Sequence, residues 1–172
     1  MYTLLLARYD VSFVSRALPL DEIQSDSFEE IVEHKARQAF EQLKQPLFVQ
    51  DAGYSITALN GFPGPYMRYM NHWFSSEDFL ALMKNKQDRS VHLVENFGCI
   101  NAEGDFSIFT TTIPARLLDT PVGEGSSSDR IVAFEGFDKP LSLTPLEELQ
   151  TTFAKSDLWE KLAAWIKEQN TK

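Results

Sequence analysis

A chain of 172 residues that is 43% hydrophobic and 24% charged is too apolar for a disordered segment and long enough for one sizeable core, so a single domain over residues 1–172 is expected. Its formal charge of −9 repels polyanions, which argues against wrapping of a nucleic acid and requires any phosphate chemistry to be local. The single cysteine, Cys99, excludes an intramolecular disulfide, and His34, His72 and His92 are too scattered for a zinc site.

In chain order, Tyr2-Thr3-Leu4-Leu5-Leu6-Ala7 is a short apolar run that predicts a buried strand. It falls far short of the roughly 20 residues of a membrane span, and no charged region precedes a signal-like core. A soluble cytoplasmic protein is the expectation. Ser25-Asp26-Ser27 ahead of Phe28-Glu29-Glu30 has the signature of a helix start, with acids in the first turn and Ile31, His34 or Lys35, Ala39 and Leu43 following at helical spacing. Leu47-Phe48-Val49, entered after Pro46, predicts a second strand, and this strand, helix, strand succession points to an α/β layer.

Asn60-Gly61-Phe62-Pro63-Gly64-Pro65 crowds two glycines and two prolines into six residues, which predicts a rigid irregular loop just beyond that strand. Ser75 followed by Ser76-Glu77-Asp78 opens another helix. Two strands over residues 91–100 and 106–113 are joined at Asn101-Ala102-Glu103-Gly104, a hairpin pattern. Gly123-Glu124-Gly125-Ser126-Ser127-Ser128 reads as a flexible segment before Ile131-Val132-Ala133-Phe134, and helices are predicted over residues 145–153 and 158–169.

Glu22, Glu30 and Asp51 converge if the helix that begins near Phe28 packs beside the strand that ends at Asp51, with Lys35 about one and a half turns past Glu30. The plainer alternative is that Glu29, Glu30 and Glu33 form a solvated first turn with which Lys35 pairs, and that Asp51 is a turn aspartate.

Five ordered segments tip the balance. Asp21-Glu22-Ile23-Gln24, Glu30-Ile31-Val32-Glu33-His34-Lys35-Ala36, Val49-Gln50-Asp51-Ala52-Gly53, Ala58-Leu59-Asn60-Gly61-Phe62-Pro63-Gly64-Pro65-Tyr66 and Asp88-Arg89-Ser90 are similar, in order and approximate spacing, to motifs of the inosine triphosphate pyrophosphatase (Ham1) family. The resemblance implies an elongated two-lobed α/β fold with a mixed sheet and flanking helices, a homodimer, and Mg²⁺-dependent cleavage of non-canonical purine nucleoside triphosphates to monophosphate and pyrophosphate. It implies Glu22 and Asp51 as Mg²⁺ ligands, Asp51, Glu30 and Lys35 as catalytic residues, and Lys35, Asp129 and Arg68 as substrate contacts. Oxygen ligands suit a hard cation, and a lysine suits phosphate as a point donor.

The chain also departs from the pattern. Where the family's first strand runs into a Thr-Gly-Asn turn followed by lysine, the corresponding residues here are Arg8-Tyr9-Asp10-Val11-Ser12-Phe13. The family's acidic pair is reduced to Gln50-Asp51, its base-stacking aromatic is replaced within Gly125-Ser126-Ser127-Ser128-Asp129-Arg130, and its Ser-His-Arg element is absent from the end of the chain. Two readings follow: a pyrophosphatase with altered base selectivity, and a catalytically impaired paralogue that binds a nucleotide or a protein. Trp73, Phe74, Trp159 and Trp165 are expected to be packing aromatics rather than a replacement stacking platform.

Overall fold

The computed structural model describes residues 1–170, a mixed α/β protein. Its helices are α1 (Tyr2–Ala7), α2 (Phe28–Leu43), α3 (Met67–Trp73), α4 (Ser76–Leu82), α5 (Leu146–Phe153) and α6 (Leu158–Gln169). Strands β1 (Leu47–Ile56), β2 (Ser90–Ile100), β3 (Phe106–Leu117) and β4 (Val132–Phe134) lie in one sheet in the order β1-β2-β3-β4. The chain divides into two compact units, one of residues 1–51, 95–111 and 150 onward, the other of residues 52–94 and 112–149.

In the first unit the opening run is a helix, which corrects the strand expected there. Leu and Ala are strong helix formers, Thr3 is the run's one β-branched residue, and six residues are too few to display a period. Burial follows helical spacing: Tyr2 is half-buried and Leu5 and Leu6 are buried on one side, while Leu4 is 54% exposed. The segment 8–13 therefore follows a helix, and Asp10 at φ 54° lies beyond its end. Helix α2 begins as expected: Ser27 is the N-cap, its side chain accepting from the Glu30 amide. It ends at Lys44 in the left-handed region, two residues before Pro46.

Ile31, Val32, Ala36 and Ala39 form the buried stripe of α2. The stripe presses against β2 at Gly98, where a Cβ would stand 2.9 Å from the Val32 carbonyl oxygen and 3.0 Å from Val32 Cβ. Only a residue without a side chain permits that approach. Nearby, Tyr2 stacks on Trp159 at 5.7 Å and meets Phe97 edge-on at 5.4 Å, and the Trp159 indole donates to the Phe153 carbonyl at 2.7 Å. Trp159 is thus a core residue, as expected from its position on α6. At the hairpin between β2 and β3, the Asn101 side chain accepts from the Asp105 amide at 2.8 Å.

The second unit contains the proline-glycine loop. Gly61 and Gly64 take φ of 94° and 54°, values that favour glycine, and Phe62-Pro63 is a cis peptide. Ser75 closes a capping box with Asp78 at the start of α4. The serine-rich segment expected to be flexible is tied down: Ser76 Oγ donates to the Ser127 carbonyl at 2.8 Å, and Asn71 Oδ1 accepts from Ser127 Oγ at 2.9 Å and from the Ser128 amide at 3.1 Å. β3 and β4 pair antiparallel, with Ala115 opposite Phe134.

Candidate active site

Lys35 lies on the apolar stripe of α2, one turn past Ile31 and one before Ala39, so the helix carries it into a half-buried position. An ammonium there needs partners. Two carboxylates supply them: Asp51 Oδ1 from β1 at 2.9 Å and Glu22 Oε1 from the irregular segment before α2 at 3.0 Å. Side-chain exposures of 11% for Lys35 and 20% for Asp51, against 36% for Glu22, make Lys35–Asp51 the inner pair and Glu22 the rim.

Protonation follows this layering. Burial lowers the Lys35 pKa, but the hydrogen bonds and charges of Asp51 and then Glu22 outweigh it, and the net shift is upward. Burial likewise dominates at Asp51 and raises its pKa, opposed by Lys35 and reinforced by the charge of Glu22. Lys35 is firmly cationic, whereas Asp51 is a stronger base than an exposed aspartate.

Glu22, Lys35 and Asp51 are therefore brought together, and Glu30 is not part of their ion cluster. It is five residues before Lys35, about 140° around the helix, and its Oε2 accepts from Ser25 Oγ at 2.6 Å on an exposed surface. Arg68 is exposed on α3 and belongs, like Asp129, to the second unit. Asp129 Oδ2 accepts from the Ser126 amide at 3.3 Å, and Ser126 Oγ accepts from the Asp129 amide at the same distance. That reciprocal pair closes the serine-rich turn.

Sequence reading missed Gln38. Its amide accepts from the Asp21 amide at 3.0 Å and donates to the Asp21 carbonyl at 3.1 Å, holding the irregular segment next to Glu22 against α2. Gln38 follows Lys35 by three residues on the helix, and that spacing was the available signal.

The donor set suits Mg²⁺ in kind, since two carboxylates converge on the Lys35 ammonium and Mg²⁺ is commonly held by one or two carboxylates, with water and phosphate oxygens completing its shell. Glu22 and Asp51 are the residues that could hold it. Among the described residues no group of three or more His, Cys, Asp or Glu side chains is placed to hold a metal ion by itself.

Residues 4–164 match the Ham1 family. The chain is 35% identical over 164 residues to a dITP/XTP pyrophosphatase of Methanopyrus kandleri, an alignment covering 95% of this chain and 87% of that one. It is 30% identical over 150 residues to the dITP/XTP pyrophosphatase of Thermococcus kodakarensis, covering 86% and 79%. Among solved structures, the Ham1 protein of Staphylococcus aureus superposes with a TM-score of 0.73 at 24% identity, covering 88% of this chain and 81% of that one. A HAM1 protein from Coxiella burnetii gives 0.73 at 21% identity, covering 95% and 84%.

Proposed function

We propose, since the chain belongs to the Ham1 family, that it is a nucleoside triphosphate pyrophosphatase cleaving a non-canonical purine nucleoside triphosphate to monophosphate and pyrophosphate. The observation that carries this reading is the convergence of Glu22, Lys35 and Asp51 from three separate stretches of chain on a half-buried ammonium. A structural ion pair needs one carboxylate; this lysine has two, and the cluster has a net charge of −1.

That excess negative charge bears on the cofactor. A triphosphate would be repelled by the cluster as it stands, and a divalent cation reverses the sign, so Mg²⁺ held by Glu22 and Asp51 is part of the proposal. When bound, Mg²⁺ supplies charge neutralisation for the phosphate oxygens. Lys35 offsets the charge that shifts within the phosphates as the water oxygen bonds to the α-phosphorus and pyrophosphate leaves. Asp51, anchored by Lys35 and made more basic by burial, orients the water and takes its proton. Glu22 helps to keep Lys35 ionised. Glu30, oriented by Ser25, is an accessory acid in this scheme, and Glu30→Gln reduces the rate less than Asp51→Asn.

A cytoplasmic homodimer accompanies the proposal through the family likeness, and no helix among the described residues is long and apolar enough to cross a membrane. A second reading, nucleotide or protein binding without turnover, is favoured by the serine-rich turn. Its hydroxyls at residues 126–128 present no aromatic face for a base.

Pyrophosphate release from inosine, xanthosine and ordinary nucleoside triphosphates, with and without Mg²⁺, separates the readings. Metal-dependent release that falls by about 10²-fold or more in Asp51→Asn, with the far-ultraviolet dichroism unchanged, is the expected result. An unchanged rate in the variant refutes the assigned site, and no release by the wild type at high enzyme concentration favours the binding reading.

A further inference from the structure

The first unit contains a cleft of about 630 Å³, bordered on one side by residues 45–50 and on another by residues 12–16, with Trp165 and Gln169 of α6 also lining it. Both borders are runs of consecutive residues, so main chain as well as side chains faces the space. β1 is the terminal strand of the sheet, with β2 as its one neighbour, which leaves its outer edge open over residues 47–50. Residues 12–20 have no secondary structure, and among the described residues their main chain makes no hydrogen bond. Two stretches of unsatisfied backbone thus border one slot.

Its side chains are mixed in a particular way. Phe13 and Phe48, one from each border, touch edge-on at 5.1 Å and give the cleft an apolar surface. The Gln169 side-chain oxygen is buried with no hydrogen-bond partner, although its amide nitrogen donates to the Trp165 carbonyl at 3.2 Å. Arg16 is the one charged residue among those that line the cleft, and it makes no ion pair among the described residues. An open strand edge, a second unpaired backbone run, an unsatisfied acceptor and a lone cation are complementary to an extended chain rather than to a compact ring.

We propose that this cleft is a docking site for an extended peptide strand with apolar residues at alternate positions and a carboxylate that meets Arg16, added to the sheet along the open edge of β1. Main-chain hydrogen bonds to the edge supply affinity, and the apolar surface at Phe13 and Phe48 selects every second side chain. The four strand positions at residues 47–50 span roughly 13 Å at about 3.3 Å per residue, room for about four residues of an added segment to pair. The proposal is independent of the pyrophosphatase reading.

The test uses the full chain and a capped heptapeptide of alternating valine and threonine ending in glutamate, with backbone amide exchange followed residue by residue in NMR spectra. The expected result is exchange slowed by roughly tenfold or more at alternate amides within residues 47–50 and within 12–16 on saturation. Arg16→Glu weakens this peptide roughly tenfold and binds the lysine-ended version in its place. Absence of protection at both borders overturns the proposal. Protection that grows with protein concentration in the absence of peptide overturns it in favour of a second copy of the chain, and displacement of the peptide by inosine triphosphate overturns it in favour of a nucleotide site.

Discussion

Two carboxylates in the first unit are raised in pKa by burial, and their surroundings give them different consequences. Asp51 is compensated by Lys35 and partly reached by solvent. Glu95 on β2 is 2% exposed; its Oε1 accepts from the Tyr2 hydroxyl at 2.8 Å, while Oε2 is buried with no partner. Burial pushes its pKa from the ordinary 4.5 up to about 7, with the Tyr2 hydrogen bond pulling the other way. The same burial, with the charge of Glu95, drives the Tyr2 hydroxyl far upward, so Tyr2 stays a donor. A carboxyl with a raised folded-state pKa binds its proton more tightly in the native than in the unfolded chain. Its stabilising contribution is complete below the unfolded value and is lost as pH rises through the folded one. A shift from 4.5 to about 7 corresponds to about 3 kcal/mol lost across that window. Urea unfolding at pH 5 and pH 8 is expected to show this loss in the wild type and not in Glu95→Gln; equal pH dependence in the two chains would contradict it. Nothing local in Val94-Glu95-Asn96-Phe97 signals this role, because the partner tyrosine is 93 residues away. The Lys35 cluster was legible through motifs that resemble a family, whereas the hydrogen bond that turns Glu30 to Ser25 rather than to Lys35 has no signal in helical spacing.

Elements whose signals are local formed where the sequence places them. The Ser27 and Ser75 caps, the hairpin at Asn101 and the helix α6 each rest on residues within a few positions of one another. Helix α1 was misread because a six-residue apolar run fits a strand and a helix equally, and only its packing against α6 and the pairing of Tyr2 with Glu95 and Trp159 decide between them. The join between α2 and β2 is another feature fixed by tertiary contact. Gly98 is required there by proximity, and Gly98→Ala would place its methyl 2.9 Å from the Val32 carbonyl oxygen, against main chain that cannot swing aside. Overpacking of this kind costs about 1–3 kcal/mol, and because α2 bears Lys35 while β1 bears Asp51, a shift of α2 also disturbs the pair. Gly98→Ala is therefore expected to lower the unfolding midpoint and the pyrophosphate-release rate together. Loss of stability with an unaltered rate would mean that the strain relaxes in β2 and leaves α2 in place.

For the whole molecule the deciding quantity is charge. A net −9 disfavours the approach of any triphosphate, and the Glu22–Lys35–Asp51 cluster, −1 by itself and +1 with the divalent cation proposed for it, offsets little of that charge. At about 0.01 M ionic strength the Debye length is about 30 Å and most of the molecule's charge acts on an incoming anion; at about 0.15 M it is about 8 Å and only the nearest groups do. With Mg²⁺ held at saturation, kcat/KM for the nucleoside triphosphate is therefore expected to rise as sodium chloride is increased across this range, by about twofold to fivefold. The opposite trend characterises proteins that attract their phosphate ligands with a basic field, where added salt weakens binding. Lys35→Gln makes the cluster more negative and should steepen the rise. A fall in kcat/KM with salt would mean that a local cationic field, stronger than the cluster with its bound metal provides, governs the encounter, and Arg8 and Arg16 at the start of the chain would then be the first residues to replace.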